Sequence, residues 1–318
     1  MLKKTTEIKS PRNAYGEVLV ELGAQNKNIV VLDADLSCST QTCQFHKAYP
    51  ERFFNCGIAE QDMMCTAAGL ACEGKIPFVS TFAMFATARC LDQIRNSICY
   101  PKLNVKIVAT HGGVTVGEDG ASHQALEDIS YMRSIPDMTV IVPADYNEVK
   151  QVIKYASEIH GPVYVRLART NLKTVFDEEK YVFNPERAVK ICEGSDVTIV
   201  TNGETLSEVI SCSQMLGENG IKAEVLHVPL VKPFFAASDI IESAKKTGLV
   251  ITVENHSVIG GLGSAVCEVL SANLPTRVLR VGTPDCFGQS GEQRALMEFF
   301  GLSDKKLYER ISRYINKK

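Results

Sequence analysis

Runs of β-branched residues alternate with longer segments of helical period along almost the whole chain. That alternation restricts the chain to α/β architectures. Parallel strands need long crossover connections, and the crossing helices then cover both faces of the sheet. Strands are predicted at residues 29–32, 76–79, 105–110, 139–142 and 163–167, with helices at 14–26, 60–73, 83–97, 125–133 and 146–159. After Arg169 the pattern lapses into residues 170–187, a polar stretch holding Pro185 that reads as a surface crossing or linker. A second, shorter alternation follows, with strands at 196–200, 222–227, 248–253 and 277–281 and helices at 204–216, 263–272 and from 292 onward. Two α/β domains are expected, divided at residues 1–175, a linker at 176–190, and 191–318.

Composition removes several function classes. Of 318 residues, 45% are hydrophobic and 22% charged, enough apolar surface for two buried cores. Thirty-four basic against 37 acidic residues give a formal charge of −3, and no like-charge run, the Lys317-Lys318 tail included, exceeds three residues. Nucleic acid is therefore not an expected partner. Neither is a membrane: no apolar stretch approaches the roughly 20 residues needed to cross a bilayer, and the start, Met1-Leu2-Lys3-Lys4-Thr5-Thr6, lacks the apolar core of a secretory signal. A cytoplasmic protein is expected. The 11 cysteines are irregularly spaced with no Cys-x-x-Cys pair, which favours reduced thiols over disulfides or zinc. No metal site is expected within this chain.

Ligands of open parallel sheets bind beyond the carboxyl ends of strands, so residues just after a predicted strand are the candidates. Asp33-Ala34-Asp35-Leu36-Ser37-Cys38-Ser39 follows the first strand and offers polar groups that also serve as ordinary helix caps. Phe54-Asn55-Cys56-Gly57-Ile58-Ala59-Glu60-Gln61-Asp62 places Glu60 in the first turn of a helix, where the helix dipole alone would favour it. His111-Gly112-Gly113-Val114-Thr115-Val116-Gly117-Glu118-Asp119-Gly120-Ala121-Ser122-His123-Gln124 is a long connection with two histidines, two acids and several glycines, a composition that lets backbone approach a ligand. Arg169, just past the strand at 163–167, offers a guanidinium for a phosphate. Gly260-Gly261-Leu262-Gly263 lacks Gly-x-Gly-x-x-Gly spacing and reads as a strand-to-helix turn.

Taken together, Arg52-Phe53-Phe54-Asn55-Cys56-Gly57-Ile58-Ala59-Glu60-Gln61, Ser80-Thr81-Phe82-Ala83-Met84-Phe85, Gly117-Glu118-Asp119-Gly120-Ala121-Ser122-His123-Gln124 and Ile135-Pro136-Asp137-Met138 resemble the pyrimidine-binding domain of transketolase in order and spacing. The remainder, with Val253-Glu254-Asn255-His256 and Gly260-Gly261-Leu262-Gly263, is similar to that family's C-terminal domain. The resemblance implies a thiamine diphosphate-binding fold over residues 1–175 and a smaller transketolase C-terminal-like domain over 191–318.

It also implies roles. Glu60 matches the glutamate that hydrogen-bonds the cofactor's pyrimidine, Phe82 and Phe85 match the aromatic cluster beside that ring, and Asp35 joins them as a cofactor-binding residue. His111, Asp119 and His123 match the substrate channel, with the two histidines as catalytic candidates; Arg12, Ser39 and Arg169 match sugar-phosphate anchors. The family's diphosphate and metal are held by a Gly-Asp-Gly segment and a later Asn in another half of the protein. Glu118-Asp119-Gly120 with Asn147 mimics that spacing but lacks the first Gly and belongs to the pyrimidine-side loop.

The resemblance thus implies the C-terminal subunit of a split transketolase, acting on sugar phosphates and paired with an N-terminal subunit. That partner would carry the diphosphate site and a magnesium or calcium ion, two copies of each chain forming a heterotetramer. The alternatives are half of a deoxyxylulose-phosphate synthase-like enzyme, the beta subunit of a 2-oxo acid dehydrogenase, or a non-catalytic scaffold of the same fold. Glu118, where the synthase loop usually has Ala, disfavours the first of these.

Overall fold

The computed structural model describes residues 1–3 and 7–315; residues 4–6 and 316–318, which include the Lys317-Lys318 pair, lie outside the described residues. The first sheet runs in the order Leu230–Lys232, Thr139–Ile141, Val163–Arg166, Lys106–Ala109, Ile76–Ser80, Ile29–Asp33, Phe53–Asn55. Every pairing in it is parallel except that of Leu230–Lys232 with Thr139–Ile141. Successive side chains of Ile29–Asp33 sort to opposite faces: Val30 and Leu32 join one core with Met63, Met64 and Ile107, while Ile29 and Val31 join another with Tyr15, Phe78 and Val108. Helices cover both faces, which is why the strand reads as an unbroken apolar run.

The helix Pro11–Gln25 starts where Ser10 accepts a hydrogen bond from the Asn13 N–H and Pro11 fills the first turn. A single helix expected at 83–97 is instead the short helix Ala83–Thr87 followed by a π-helical segment, Gln93–Cys99, closed by the Tyr100 N–H donating to the Arg95 carbonyl. Apolar periodicity does not register such a widening of the turn.

The second sheet has the order Arg277–Thr283, Leu249–Ser257, Val197–Thr201, Ala223–His227, Val189–Cys192, with the last strand antiparallel to its neighbour. The sequence pattern missed the helix Ala237–Thr247 and the short strands Phe53–Asn55, Val189–Cys192 and Leu230–Lys232. Three or four residues are too few for a period to show. Leu230–Lys232 extends the first sheet although it lies far beyond residue 191 in the sequence.

The polar crossing is anchored rather than loose. Phe176 and Tyr181 are buried and stacked at 4.0 Å, and the Tyr181 hydroxyl donates to Glu148 at 2.5 Å. Glu148 also meets His227 of the second sheet at 2.8 Å. All eleven cysteines are free thiols. Among the described residues no helix is long and apolar enough to cross a membrane.

Candidate active site

Five parallel strands of the first sheet deliver residues to one edge. Ile29–Asp33 leads to Asp35 and Ser39, Phe53–Asn55 to Glu60, Ile76–Ser80 to Phe82 and Phe85, Lys106–Ala109 to His111, and Val163–Arg166 to Arg169. This is the position at which a parallel sheet presents ligand contacts.

Glu60 begins the helix Glu60–Cys72 and is 3% exposed. Its carboxylate is paired with Arg89 at 2.8 Å, and the Arg89 guanidinium lies over the Phe85 ring at 4.5 Å. Nothing in the sequence pointed to Arg89. Its place after the helix Ala83–Thr87 follows from the break before the π-helical segment.

Phe82 stacks on His111 with ring centroids 3.7 Å apart and on Phe85 at 5.8 Å; His123 meets Phe85 edge-on at 5.2 Å. His111 is buried, with its Nδ1 2.7 Å from the Thr110 hydroxyl. Burial, then Arg12, Arg169 and His123, push the His111 imidazole down to about 3. It is therefore neutral at physiological pH, and with Nδ1 engaged by Thr110 only Nε2 is left for a ligand.

Arg12 sits in the first turn of a capped helix, although its terminal position in the sequence offered little support for order. It donates to the Ser39 carbonyl at 2.8 Å, and its Nε is buried without a hydrogen-bond partner. Burial and the neighbouring Arg169 charge lower the Arg12 pKa. Two guanidinium groups this close favour an anion between them. Arg169 donates to the Val116 carbonyl and lies 3.8 Å from Glu118.

Asp35 and Asp119 are less integrated. Asp35 is exposed at φ 62°, tied to Asn55 by its own N–H at 3.1 Å and by the Asn55 amide at 3.2 Å. Asp119 is exposed, and its carboxylate makes no hydrogen bond or ion pair among the described residues. The glycines after His111 answer to protein rather than to ligand. A Cβ on Gly112 would overlap Arg166, and one on Gly113, at φ +76°, would overlap Asn255.

Residues 9–174 match the transketolase pyrimidine-binding domain, and residues 186–307 match the transketolase C-terminal domain. The chain belongs to the transketolase family. It is 49% identical to the "Putative transketolase C-terminal section" of Methanocaldococcus jannaschii, over 100% of both chains. It is also 42% identical to the 6-deoxy-6-sulfo-D-fructose transketolase subunit SqwH of Clostridium sp. (strain MSTE9), over 93% of this chain and 91% of that one. A solved structure, that of a split gene transketolase as an inactive beta4 tetramer, superposes with a TM-score of 0.87 at 49% identity, covering 97% of this chain and 98% of that chain. Deoxyxylulose-phosphate synthases are also similar, at 36% identity for the enzyme of Desulforudis audaxviator, of which the match covers 46%. The transketolase family generally uses thiamine diphosphate with a divalent metal.

Proposed function

We propose that this chain is the C-terminal subunit of a two-chain, thiamine diphosphate-dependent transketolase that moves a two-carbon ketol unit from a ketose phosphate to an aldose phosphate. The observation that carries this reading is a carboxylate, Glu60, held 3% exposed within one salt bridge of an aromatic face, Phe85, that borders His123 and, through Phe82, the stacked His111. A buried carboxyl beside a partly open aromatic ring fits the pyrimidine end of the cofactor.

When bound, thiamine diphosphate supplies a thiazolium carbon that becomes a nucleophile once its proton leaves. Glu60 would hold a proton on its buried carboxyl against the pyrimidine ring nitrogen, and the low local polarity would strengthen that hydrogen bond. Phe85 provides the stacking face. Phe82, 8% exposed, backs His111 and fixes its ring plane. His111 and His123 bind sugar oxygens, and His123 moves a proton to and from the alkoxide as the ketose carbon bond breaks. Arg12 and Arg169, with Ser39 beside them, anchor the sugar phosphate. Asp119 accepts a substrate hydroxyl, and Asp35 holds its place at the cofactor end through Asn55.

The diphosphate and its magnesium or calcium ion are assigned to an N-terminal partner subunit, in a heterotetramer of two copies of each chain. Ile58, two residues before Glu60, is 81% exposed, an apolar side chain that such a partner would cover. The domain limits are placed at 1–175 and 191–318 with the linker between. The test is reconstitution with a chain of similar length carrying Gly-Asp-Gly and a later Asn. Ketol transfer is expected only in the mixture, and turnover by this chain alone overturns the proposal.

A further inference from the structure

The histidine loop is gripped from outside its own sheet. Asn255, near the end of the strand Leu249–Ser257, accepts a hydrogen bond from the Val114 N–H at 3.0 Å and directs its amide nitrogen to the Thr115 hydroxyl at 3.2 Å and to Glu204. Glu204, 9% exposed, accepts the Thr115 hydroxyl at 2.8 Å. The Val114 N–H can only donate, so the orientation of the Asn255 amide is fixed and every polar atom of it is used. The Asn255 carbonyl in turn accepts from Arg166 at 2.8 Å, whose Nε pairs with Asp128 at 3.0 Å. The far limb of the loop is held the same way. Gln124 donates to the carbonyls of Val114 at 3.1 Å and Gln289 at 2.9 Å, and Ser290 donates to the Glu118 carbonyl at 2.7 Å.

These contacts bear on one strained residue. His111 has φ 61°, a conformation that a non-glycine side chain keeps only when its surroundings over-determine it. Immediately after it, Gly112 lies against Arg166 and Gly113 against Asn255, each too close for a Cβ. Gly113 is the point at which the second α/β half, through Asn255, comes against the loop two residues after the histidine, while Gly112 is met by Arg166 of the first sheet. No folding requirement of the second sheet asks Asn255 to spend its whole amide on a loop of the first.

We infer that Asn255, braced by Glu204, is a positioning residue through which the second α/β half sets the pose of His111 and the loop carrying Asp119 and His123. The inference rests on the substrate-binding role proposed for those residues. It gives the second half of the chain a task in the reaction: a sugar contact fixed from across the domain boundary. A further consequence is that substrate handling and cofactor activation separate, because Glu60 is paired with Arg89 outside this hydrogen-bond network and Phe85 meets the loop only through the His123 ring.

The test uses the reconstituted two-chain complex with xylulose 5-phosphate and ribose 5-phosphate as probes. Nuclear magnetic resonance follows exchange of the cofactor's acidic carbon-bound proton for deuterium. Asn255→Ala is expected to raise KM for xylulose 5-phosphate at least tenfold while that proton exchange stays within twofold of the unmodified complex. Glu204→Gln, which keeps an oxygen acceptor for Thr115 and Asn255, is expected to stay within threefold in KM. Amide hydrogen exchange over residues 113–124, a measurement needing no substrate, is expected to quicken in Asn255→Ala alone. An unchanged KM, or unchanged amide exchange in the loop, overturns the inference, as does a parallel fall of proton exchange and turnover, which marks general damage. Absence of cofactor proton exchange in the unmodified complex would instead sink the proposed function.

Discussion

The Glu60 carboxylate lies 2.8 Å from the Arg89 guanidinium, which also covers the Phe85 ring at 4.5 Å. One cation thus occupies both surfaces assigned to the cofactor's pyrimidine. On the proposed function, the ring would have to displace Arg89 from each of them. Because the Arg89 side chain is 45% exposed, the pair is worth no more than about 1 kcal/mol. Arg89→Gln is therefore predicted to tighten cofactor binding to the reconstituted complex by up to about fivefold, read by calorimetry. Weaker binding would mean that Arg89 assists the cofactor rather than competing with it.

The two phenylalanines of the cluster are predicted to separate. Phe82 is 8% exposed and stacked on His111, so Phe82→Ala should cost about 3 kcal/mol of stability in urea unfolding of this chain. Phe85 is only partly buried, and Phe85→Ala should stay within about 1 kcal/mol while weakening cofactor binding in the complex. Equal stability losses would contradict the division of labour between them.

Much of this was legible in the sequence because parallel strands buried on both faces leave unbroken apolar runs. Ile29–Asp33, Ile76–Ser80 and Val163–Arg166 lie within a residue or two of where the pattern puts them. Glu60, Phe85, His111 and His123 follow such strands and stand out by motif. Arg89 does not, since its meeting with Glu60 depends on a short helix giving way to a π-helical segment. Asn255 lies in the Val253-Glu254-Asn255-His256 segment, yet that segment gave it no role, because its partners Val114 and Thr115 lie about 140 residues away. Contacts at that separation leave no period in a single chain.

Acid should expose the cost of burying His111. Its imidazole is pushed from 6.5 down to about 3, so between those values the unfolded chain binds a proton that the folded chain refuses. Stability from this group is intact above pH 6.5 and is lost as pH falls toward 3. Relative to His111→Gln, the unmodified chain is predicted to lose about 2 kcal/mol more between pH 7.5 and pH 5, measured by urea unfolding. Parallel profiles for the two proteins would refute the assignment.

Glycine substitutions should sort by what lies beside them. Gly57 has φ +68°, and a Cβ added there would meet nothing within 4 Å, so Gly57→Ala should cost only the backbone strain of about 1 kcal/mol. Gly113→Ala adds overlap with the Asn255 amide to the same kind of strain and should cost at least twice as much in unfolding. Equal costs would show that the loop yields freely.

The central claim is that Glu60 activates the cofactor. The rate at which the cofactor's acidic carbon-bound proton exchanges with deuterium, in the complex with Glu60→Gln, tests it most directly. A fall of about a hundredfold or more is predicted, with both subunits still assembled and cofactor still bound. Exchange at the unmodified rate would contradict the account.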